Sequence, residues 1–454
     1  MSEIVIENID TLVTEVGDDL QEDVNVRIVD NQIEEIAEEP GEDWEPDETV
    51  DGSNHLFMPG LVNTHHHFYQ TLNRNIPAVQ DAKLFDWLTY LYEIWKYLTP
   101  EMARVSAQVA AAELIMSGCT TAVDHFYVFP ESHPEGVFEA EVEAVQDIGL
   151  RFHPTRGSMS LSKEDGGLPP DSVVQDEETI LKHTEDVIHQ YHEPEQFGMT
   201  RIIVAPCSPF SVTDSIMKRS KELGEQFEKV YFHTHLAETV DEEEFCIEET
   251  GMRPFDYLES LGWMDEKTIH VHSIHLNEDE VRRMGKAGAA MTHCPSSNMR
   301  LGSGMAPVVD MLKSGVKVSL GVDGSASNDS SHMFAEARQA LLLQRINYDE
   351  ESITANDVLR AATVGGAQAI GREDIAKIEP GMAADLIGIR KDSIDYAGAQ
   401  HDPLAALVFC HPPKVDHSII NGEIIVENGE FLPLDLPQLA ERQNELAEEQ
   451  ILNL

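Results

Sequence analysis

The chain has 454 residues, 41% of them hydrophobic, so it is long enough for a barrel domain of about 250 residues and a smaller second domain. Its 83 acidic residues against 31 basic ones give a formal net charge of −52, which argues against binding to nucleic acid or to an anionic membrane, because both require positive charge. The acidity is spread along the chain, so we predict a surface adapted to high salt, on which glutamate-rich runs such as 241–244 form solvated faces.

The first segment, residues 1–57, alternates polar and apolar residues in short bursts. Turn signals separate these bursts at 17–19 and 30–31. This pattern is typical of a small antiparallel sheet.

The middle of the chain, residues 58–372, alternates predicted helices and strands. Thr99 and Pro100 form an N-cap and a first helical position, which predicts a helix over 102–116 that Gly118 ends. Helical patterns separate most of the predicted strands, which are 61–67, 120–125, 151–155, 201–206, 230–235, 268–272, 289–293 and 316–323. Repeated strand–helix units of this number predict a (β/α)₈ TIM barrel, an α/β fold.

The last segment, residues 373–432, returns to short alternating strands. Within it, Asn421-Gly422 between two apolar runs is a strong signal for a two-residue hairpin. We therefore predict that residues 1–57 and 373–432 together form a small β-sandwich domain. Residues 433–454 are predicted to form a terminal amphipathic helix.

The five cysteines are scattered along the chain. Their number is odd and no two have C-x-x-C spacing, so neither a disulfide framework nor a zinc ribbon is predicted. The N-terminal residues lack a cationic start and an apolar core, and no apolar run approaches the ~18 residues that span a bilayer. The sequence therefore predicts a soluble protein of the reducing cytoplasm.

The first predicted barrel strand ends in three consecutive histidines. Because side chains alternate between the two faces of a strand, His65 and His67 are expected to point the same way and His66 the other way. Two imidazoles held side by side are a familiar beginning of a zinc or iron site.

Three other predicted strands end in metal-capable or titratable residues. The fifth strand leads through His233 and His235 to Glu238, the sixth ends in His272, and the eighth ends in Asp323. In barrels of this kind the chemistry lies at the C-terminal ends of the strands. A single such histidine is more simply explained by packing, whereas four strand ends with the same property predict a metal site.

Five motifs carry a resemblance to a known family. They are residues 59–67 (PGLVNTHHH), 235–239 (HLAET), 293–299 (HCPSSNM), 321–328 (GVDGSASN) and 379–386 (EPGMAADL). Together they resemble the amidohydrolase superfamily, specifically its nucleobase and triazine deaminase branch.

Within this branch, other segments narrow the resemblance. Residues 69–72 (YQTL), 78–85 (AVQDAKLF) and 166–172 (GGLPPDS) are similar to 8-oxoguanine deaminases, whereas 191–199 (YHEPEQFGM) is similar to triazine hydrolases. Triazine chlorohydrolases of this type can lack the eighth-strand aspartate. The presence of Asp323 therefore favours deamination.

The resemblance implies one divalent metal ion, zinc, with iron as the alternative. It assigns His65, His67, His235 and Asp323 as the ligands, and His233, two residues before His235, is the main ambiguity. Three imidazoles and one carboxylate leave room for a water molecule, whose pKa the metal lowers towards ~7.

The resemblance also implies roles in proton transfer for three residues. Glu238 is the expected proton shuttle, and Asp323 takes a proton from the attacking water. His272 is expected to hydrogen-bond the attacking hydroxide and the charge that develops.

Two further polar side chains are candidates for holding a substrate ring. Gln70 can present both a donor and an acceptor to a lactam edge, and Arg156, at the end of the third strand, can hold a ring carbonyl. Trp87, Tyr92 and Trp95 have helical spacing, which favours packing of a helix or lid over stacking on the ring.

The function predicted from these observations is hydrolytic deamination of a purine-type base, with 8-oxoguanine giving urate and ammonia. The alternative substrates on the same scaffold are guanine, isocytosine, methylthioadenosine or S-adenosylhomocysteine, and hydroxytriazines. A catalytically silent binding protein is a third alternative, but silent relatives usually lose ligands and here every expected position is filled. The partner is a nucleobase-like small molecule, and a homo-oligomer is expected from the family.

A zinc deaminase that acts on flipped bases is excluded by one motif. Such enzymes require H-x-E together with P-C-x-x-C. Here residues 206–210 (PCSPF) lack the second cysteine.

Overall fold

The N-terminal segment forms all four strands of one small sheet and part of another. The computed structural model describes residues 2–133, 135–349, 352–410 and 414–452. The six strands of this segment are β1 (Glu3–Ile9), β2 (Thr11–Leu12), β3 (Val24–Val29), β4 (Gln32–Ala37), β5 (Glu48–Asp51) and β6 (His55–Pro59). Four of them form a sheet in the order β4-β3-β1-β5, in which β5 runs parallel to β1. The prediction of a purely antiparallel sheet is therefore wrong at this edge.

An eight-stranded parallel sheet follows and curls into a barrel. Its strands are β7 (Leu61–Asn63), β8 (Cys119–Phe126), β9 (Arg151–Ser158), β10 (Ile203–Pro206), β11 (Tyr231–Leu236), β12 (Thr268–His272), β13 (Ala290–His293) and β14 (Lys317–Leu320). They pair in chain order, and the Thr64 backbone N–H donates to the Leu320 carbonyl at 3.0 Å, which joins the last strand to the first. The predicted (β/α)₈ barrel is confirmed.

Helices connect and cover the barrel strands. They are α1 (Leu84–Trp95), α2 (Pro100–Met116), α3 (Val137–Gln146), α4 (Glu177–Tyr191), α5 (Asp214–Gly224), α6 (Val240–Thr250), α7 (Pro254–Ser260), α8 (Glu278–Ala287), α9 (Pro295–Arg300), α10 (Val308–Lys313), α11 (Met333–Tyr348), α12 (Ala355–Ala361) and α13 (Val364–Ala369). Across the described ranges, none of the helices has the length and apolar character needed to cross a bilayer.

Helix α2 shows why the local sequence sets these boundaries. The Thr99 hydroxyl accepts a hydrogen bond from the Met102 backbone N–H at 3.2 Å, and Pro100 occupies the first helical position, where a missing N–H costs nothing. After Ser117, Gly118 adopts φ +101°, a conformation that side-chain-bearing residues rarely adopt, and the chain turns into β8.

The C-terminal segment completes the second small sheet. It contributes β15 (Leu386–Arg390), α14 (Pro403–Phe409), β16 (His417–Ile420), β17 (Glu423–Glu427), β18 (Glu430–Phe431) and α15 (Leu436–Leu452). The sheet order is β18-β17-β16-β15-β6-β2, so strands from both ends of the chain lie side by side. Asn421 and Gly422, with φ of +52° and +79°, form the predicted hairpin turn.

A shared apolar core lies between the two small sheets. Its buried side chains include Ile6, Val26, Phe57, Leu386 and Ile419, which come from both ends of the chain. The predicted β-sandwich built from both ends is therefore confirmed. The boundaries at 57, 372 and 432 stay predictions, and residues 453 and 454 of the predicted terminal helix lie outside the described residues.

The first and last barrel strands end earlier than their sequences predict. The strand predicted over 61–67 ends at Asn63, and the strand predicted over 316–323 ends at Leu320. Asp323 has φ +65°, a left-handed conformation outside the extended region of a regular strand. Its backbone N–H donates to the His65 carbonyl at 3.1 Å, so the two loops beyond these strands are tied to each other.

Candidate active site

Three histidines and one aspartate converge at the C-terminal end of the barrel. His65, His67 and His235 each offer one nitrogen within 4.8 Å of the other two. The Nε2 atoms of His65 and His67 lie 3.2 and 3.4 Å from Asp323 Oδ1. All four side chains are buried. This spacing suits ligands that share a single cation.

Backbone carbonyls determine which nitrogen of two of these rings can bind a metal. His67 Nδ1 lies 2.7 Å from the His125 carbonyl oxygen, and His235 Nδ1 lies 2.7 Å from the Cys207 carbonyl oxygen. Because a carbonyl only accepts hydrogen bonds, each Nδ1 carries the proton and donates it. Each Nε2 therefore keeps a free lone pair, an arrangement usual for histidines that bind metals.

The charge states of these groups suit the same purpose. Burial lowers the pKa of His65 and of His235 well below the ordinary value and also lowers that of His67, so the three rings are neutral near pH 7. Burial alone would raise the pKa of Asp323, but its hydrogen bond with His65 and its electrostatic interactions with His65, His272 and His67 hold that pKa well below its usual range. Neutral imidazoles and an ionised carboxylate are the forms that bind zinc or iron(II).

Glu238 and His272 lie next to this cluster. His272 Nε2 is 3.6 Å from Glu238 Oε2 and 3.9 Å from Asp323 Oδ2, and His272 Nδ1 is 2.8 Å from Asn298 Oδ1. Burial raises the pKa of Glu238, which His272 opposes and Asp323 reinforces. A carboxyl group with a raised pKa can both take up and release a proton near neutral pH.

Several of these residues have strained backbone conformations. Positive φ angles occur at Ala237 (+50°), His272 (+69°), Ser273 (+48°) and Asp323 (+65°). Each costs of order 1–3 kcal/mol and persists only where the surrounding structure holds it. Strain of this kind at four positions around one cluster indicates that the loops are shaped for the site rather than for stability.

Glu242 is a residue of the site that the sequence analysis missed. It was predicted to be part of a solvated face, but its side chain is fully buried and accepts hydrogen bonds from the backbone N–H groups of Ala237 and Glu238, both at 2.8 Å. It therefore holds the loop that presents Glu238. The sequence does contain a signal that sets Glu242 apart from its acidic neighbours, namely the capping-box spacing of Thr239 and Glu242. In the structure, Thr239 is the N-cap of α6, and its hydroxyl accepts a hydrogen bond from the Glu242 backbone N–H at 3.3 Å.

A cavity of about 410 Å³, including its mouth, opens beside Glu238 and Asp323. Its wall is mainly aromatic and aliphatic and includes Trp87, Leu88, Tyr92, Phe210 and Leu301. No lysine or arginine lines it within the described part of the chain. The predicted packing helix that carries Trp87 and Tyr92, α1, thus also forms one wall of the cavity.

Gln70 faces this cavity, as the sequence suggested. Its side chain is fully buried, and its Oε1 accepts a hydrogen bond from the Ala326 N–H at 3.4 Å. Its Nε2 has no hydrogen-bond partner, so a donor is available to a bound molecule.

The short helical turn of residues 68–73, which carries Gln70, is held by the C-terminal helix α15. Gln443 Nε2 donates to the Thr71 hydroxyl at 3.0 Å, and Asn73 Nδ2 donates to Gln450 Oε1 at 3.0 Å. These contacts restrain the turn that presents Gln70 to the cavity.

Arg156 is not among the residues that line the cavity, and its role in substrate binding stays a prediction. Its guanidinium lies 3.9 Å from the centre of the Phe129 ring and donates to His183 Nδ1 at 3.0 Å and to Gln175 Oε1 at 2.7 Å. The reason is the alternation of side chains along β9. Thr155 is paired with His125, whose ring lies against His235, so the next residue, Arg156, points outward.

His233 lies beside the cluster but does not line the cavity. Its ring stacks on that of His65, with centroids 5.1 Å apart, and lies 4.8 Å from His125. Among the described residues, His233 lies within metal-sharing distance of His65 and His125. His235 lies within that distance of His65 and His67, and it also lines the cavity. The geometry therefore favours His235 over His233 as the ligand from β11.

The sequence is similar to a known protein family and to proteins of known activity. The sequence profile described as "Amidohydrolase family" matches residues 56–425. The chain is 48% identical over 397 residues to the 8-oxoguanine deaminase of Pseudomonas aeruginosa, covering 87% of this chain and 88% of that protein. It is 34% identical to the hydroxydechloroatrazine ethylaminohydrolase of Pseudomonas sp. (strain ADP), covering 84% of this chain and 80% of that protein.

Similar solved structures include the atrazine chlorohydrolase TrzN of Arthrobacter aurescens TC1 complexed with zinc. It superposes with a TM-score of 0.92 at 30% sequence identity, covering 98% of this chain and 100% of that chain.

Proposed function

The chain belongs to the amidohydrolase family, and from that premise we propose that it hydrolytically deaminates 8-oxoguanine to urate and ammonia, using one zinc ion. The observation that carries the proposal is the convergence of His65, His67, His235 and Asp323 beside Glu238, at a cavity with an aromatic wall. The 48% identity to an 8-oxoguanine deaminase supports the choice of substrate.

His65, His67, His235 and Asp323 would hold the metal. A divalent metal bound there supplies Lewis acidity that lowers the pKa of a water molecule towards ~7. A mixed set of nitrogen and oxygen donors suits zinc, with iron as the alternative, and zinc is the metal in the similar TrzN structure.

The side chains around the metal site would carry the protons. Glu238 would take one proton from the attacking water and deliver it to the ring nitrogen. Asp323 would take the second proton of that water, and this proton would reach the departing amino nitrogen by way of Glu238, so that the C–N bond breaks and ammonia leaves. His272, oriented by Asn298, hydrogen-bonds the oxygen on which charge develops. The water's oxygen thus replaces the amino group, and its two protons end on the ring nitrogen and on ammonia.

The lining of the cavity suits a free base rather than a phosphorylated substrate. The lack of lysine and arginine among its described lining residues disfavours a phosphate group. The unpartnered amide N–H of Gln70 can donate to a carbonyl on the ring edge.

A hydroxytriazine is the second candidate substrate, because the chain is 34% identical to a hydroxydechloroatrazine ethylaminohydrolase. Both substrates present a ring carbon that bears an amino substituent next to a ring nitrogen. The same proton transfers would release ethylamine instead of ammonia.

A substrate panel separates these candidates. Purified protein reconstituted with zinc is incubated with 8-oxoguanine, guanine, isocytosine, methylthioadenosine, S-adenosylhomocysteine and an N-ethylamino hydroxytriazine, and ammonia, ethylamine and urate are measured. We expect kcat/KM for 8-oxoguanine to exceed that for every other compound. If 8-oxoguanine is inert while the hydroxytriazine releases ethylamine, the proposed substrate is wrong.

Two glutamates of the same region provide a matched pair of variants. Glu238→Gln removes the proton carrier and should lower kcat by about 10²–10⁴-fold. Glu244→Gln changes an exposed residue of α6 and should leave kcat unchanged. Equal activity of the two variants would contradict the role proposed for Glu238.

A further inference from the structure

A second cluster of metal-capable side chains lies in the β-sandwich, on strands separate from the candidate active site. His55, Asp416 and His417 each offer one atom within 4.8 Å of the other two. His55 begins β6 and His417 begins β16, and both strands pair with β15. The cluster therefore joins strands from opposite ends of the chain.

Gly388 on β15 leaves room for Phe57 and His417 to lie against each other across the strand. It pairs with His417 on one side and with Phe57, two residues after His55, on the other. A side chain at Gly388 would begin 2.7 Å from the Phe57 ring and 3.2 Å from His417 Cβ. The Phe57 ring stacks on the His417 ring at 6.0 Å between centroids, and the His55 ring approaches the His417 ring to 5.1 Å.

The hydrogen bonds of His55 leave its second nitrogen facing a carboxylate. His55 Nδ1 lies 2.8 Å from the Ser53 carbonyl oxygen, so Nδ1 carries the proton. Nε2 lies 2.8 Å from Asp416 Oδ2. A neutral imidazole would place its Nε2 lone pair against an anionic oxygen, so a cation must lie there: either a proton on Nε2 or a metal ion between the two atoms.

His417 supplies the independent observation that distinguishes these two cations. The residue is only 4% exposed and its Nδ1 has no hydrogen-bond partner. A proton on His55 leaves this buried nitrogen unsatisfied, which costs about 1–3 kcal/mol. A metal ion uses all three groups at once.

We propose that His55, Asp416 and His417 form a second site for a divalent transition metal ion of the zinc type. Two imidazoles and one carboxylate supply three of the four positions that zinc takes, and water can fill the fourth because the Asp416 side chain is 18% exposed. The ion would cross-link β6 and β16, whose ligands His55 and Asp416 are 361 residues apart in sequence. It would thus hold the two ends of the chain together.

The charges around the cluster are compatible with a bound cation. Asp51 acts electrostatically on both histidines. Arg390 Nη1 lies 3.9 Å from Asp416 Oδ2, but its side chain is more than half exposed and its Nε donates to Asp392 at 2.6 Å, so it can move aside. Burial lowers the pKa of His417 to about 4, which keeps its ring neutral and able to act as a ligand near pH 7.

Counting the bound metal tests the proposal without using activity. Protein stripped by a chelator is reconstituted with zinc, passed through a desalting column and analysed for zinc per chain by mass spectrometry. We expect His417→Gln to bind one equivalent fewer than the wild type and to keep the wild-type kcat. The matched control, His401→Gln, changes an exposed histidine of the same segment and should bind as much zinc as the wild type. The proposal is overturned if His417→Gln and the wild type bind equal amounts.

A second pair of variants separates this site from the catalytic one. The double variant His67→Gln/His235→Gln removes two ligands of the candidate active site, so the zinc that it still binds should be the ion in the sandwich, and added zinc should still raise its Tm. Adding His417→Gln to this variant should abolish the zinc-dependent rise in Tm, and a rise equal to that of His67→Gln/His235→Gln contradicts the proposal. If His417→Gln does not fold, Asp416→Asn takes its place in both experiments.

Discussion

The two ends of the barrel bury charged groups in opposite ways. At the end where the strands begin, Arg151 binds Asp385 through two hydrogen bonds of 2.7 and 3.0 Å, and Arg372 binds Asp374 through two of the same lengths. At the end where the strands finish, His272 and Glu238 approach only to 3.6 Å. At the first end, the ion pairs have their hydrogen bonds made. At the other end, the titratable groups lie close together but are not fully hydrogen-bonded to each other.

This difference separates stability from chemistry. A buried ion pair with all its hydrogen bonds made is costly to break and has no donor left for a ligand. Groups held close together without full pairing, on a backbone with several positive φ angles, can bind a cation or exchange a proton. Substitutions at the two ends should therefore have opposite consequences.

The largest effect is expected from Asp323→Asn at the C-terminal end. This change removes the only carboxylate among the candidate metal ligands, so kcat should fall by about 10³-fold or more. Asparagine tolerates the positive φ of this position, so the free energy of unfolding of the metal-free protein should change little. Activity assays and urea unfolding measure both quantities. If the variant keeps a tenth of the wild-type kcat, the chemical role assigned to this end of the barrel is contradicted.

The next largest effect is expected from Asp385→Asn at the opposite end. It leaves the buried Arg151 without a counter-charge and should lower the free energy of unfolding by about 3–5 kcal/mol, with no change in metal binding. Asp392→Asn, which breaks an exposed pair with Arg390, is the control and should change the free energy of unfolding far less. Similar losses in the two variants would show that the buried ion pairs are not what stabilises this end.

A smaller, pH-dependent effect is expected at Glu242. Burial raises its pKa to about 7 from an ordinary 4.5, so between these values the folded state binds more protons than the unfolded state. Glu242 therefore costs stability as the pH rises through this window, by at most about 3 kcal/mol.

The corresponding measurement is urea unfolding of metal-free protein at pH 5 and pH 8. Glu242→Gln should lose less stability over this interval than the wild type, whereas Glu244→Gln should match the wild type. Parallel pH dependences in all three proteins would mean that Glu242 does not titrate in this range.

The smallest effect concerns the surface rather than either end of the barrel. With a formal net charge of −52, the folded chain repels itself, and raising KCl from 0.1 to 2 M shortens the screening length from about 10 Å to below 3 Å. We expect Tm to rise by a few degrees, measured by calorimetry. A Tm that falls with salt would contradict the prediction of a surface adapted to high salt.

The barrel and the neighbourhood of the site could be predicted because both follow from periodic patterns. Strand–helix alternation identifies the eight strands, and metal-capable residues near strand ends indicate which loops converge. The exact strand ends could not be predicted, since they depend on contacts between distant residues, such as the Asp323 N–H with the His65 carbonyl.

Two side-chain directions show the limits of this approach in physical terms. Arg156 was placed at the end of its strand because β9 was predicted to end at Thr155, whereas the strand continues to Ser158 and its alternation turns Arg156 outward. Glu242 was assigned to the surface by its acidic neighbours, although its carboxylate compensates two backbone N–H groups inside the protein. Both depend on side-chain direction, which a shift of one residue reverses.

The hydrogen bonds between α15 and the turn that carries Gln70 have a consequence during synthesis. Thr71 is bonded to Gln443, which is synthesised 372 residues later, and Asn73 is bonded to Gln450, which is synthesised 377 residues later. At about 5–20 residues per second, a ribosome needs roughly 20–75 s to supply them. Throughout that time the turn lacks its final restraints, so a nascent chain can have a nearly finished barrel and still be unable to hold a base in place.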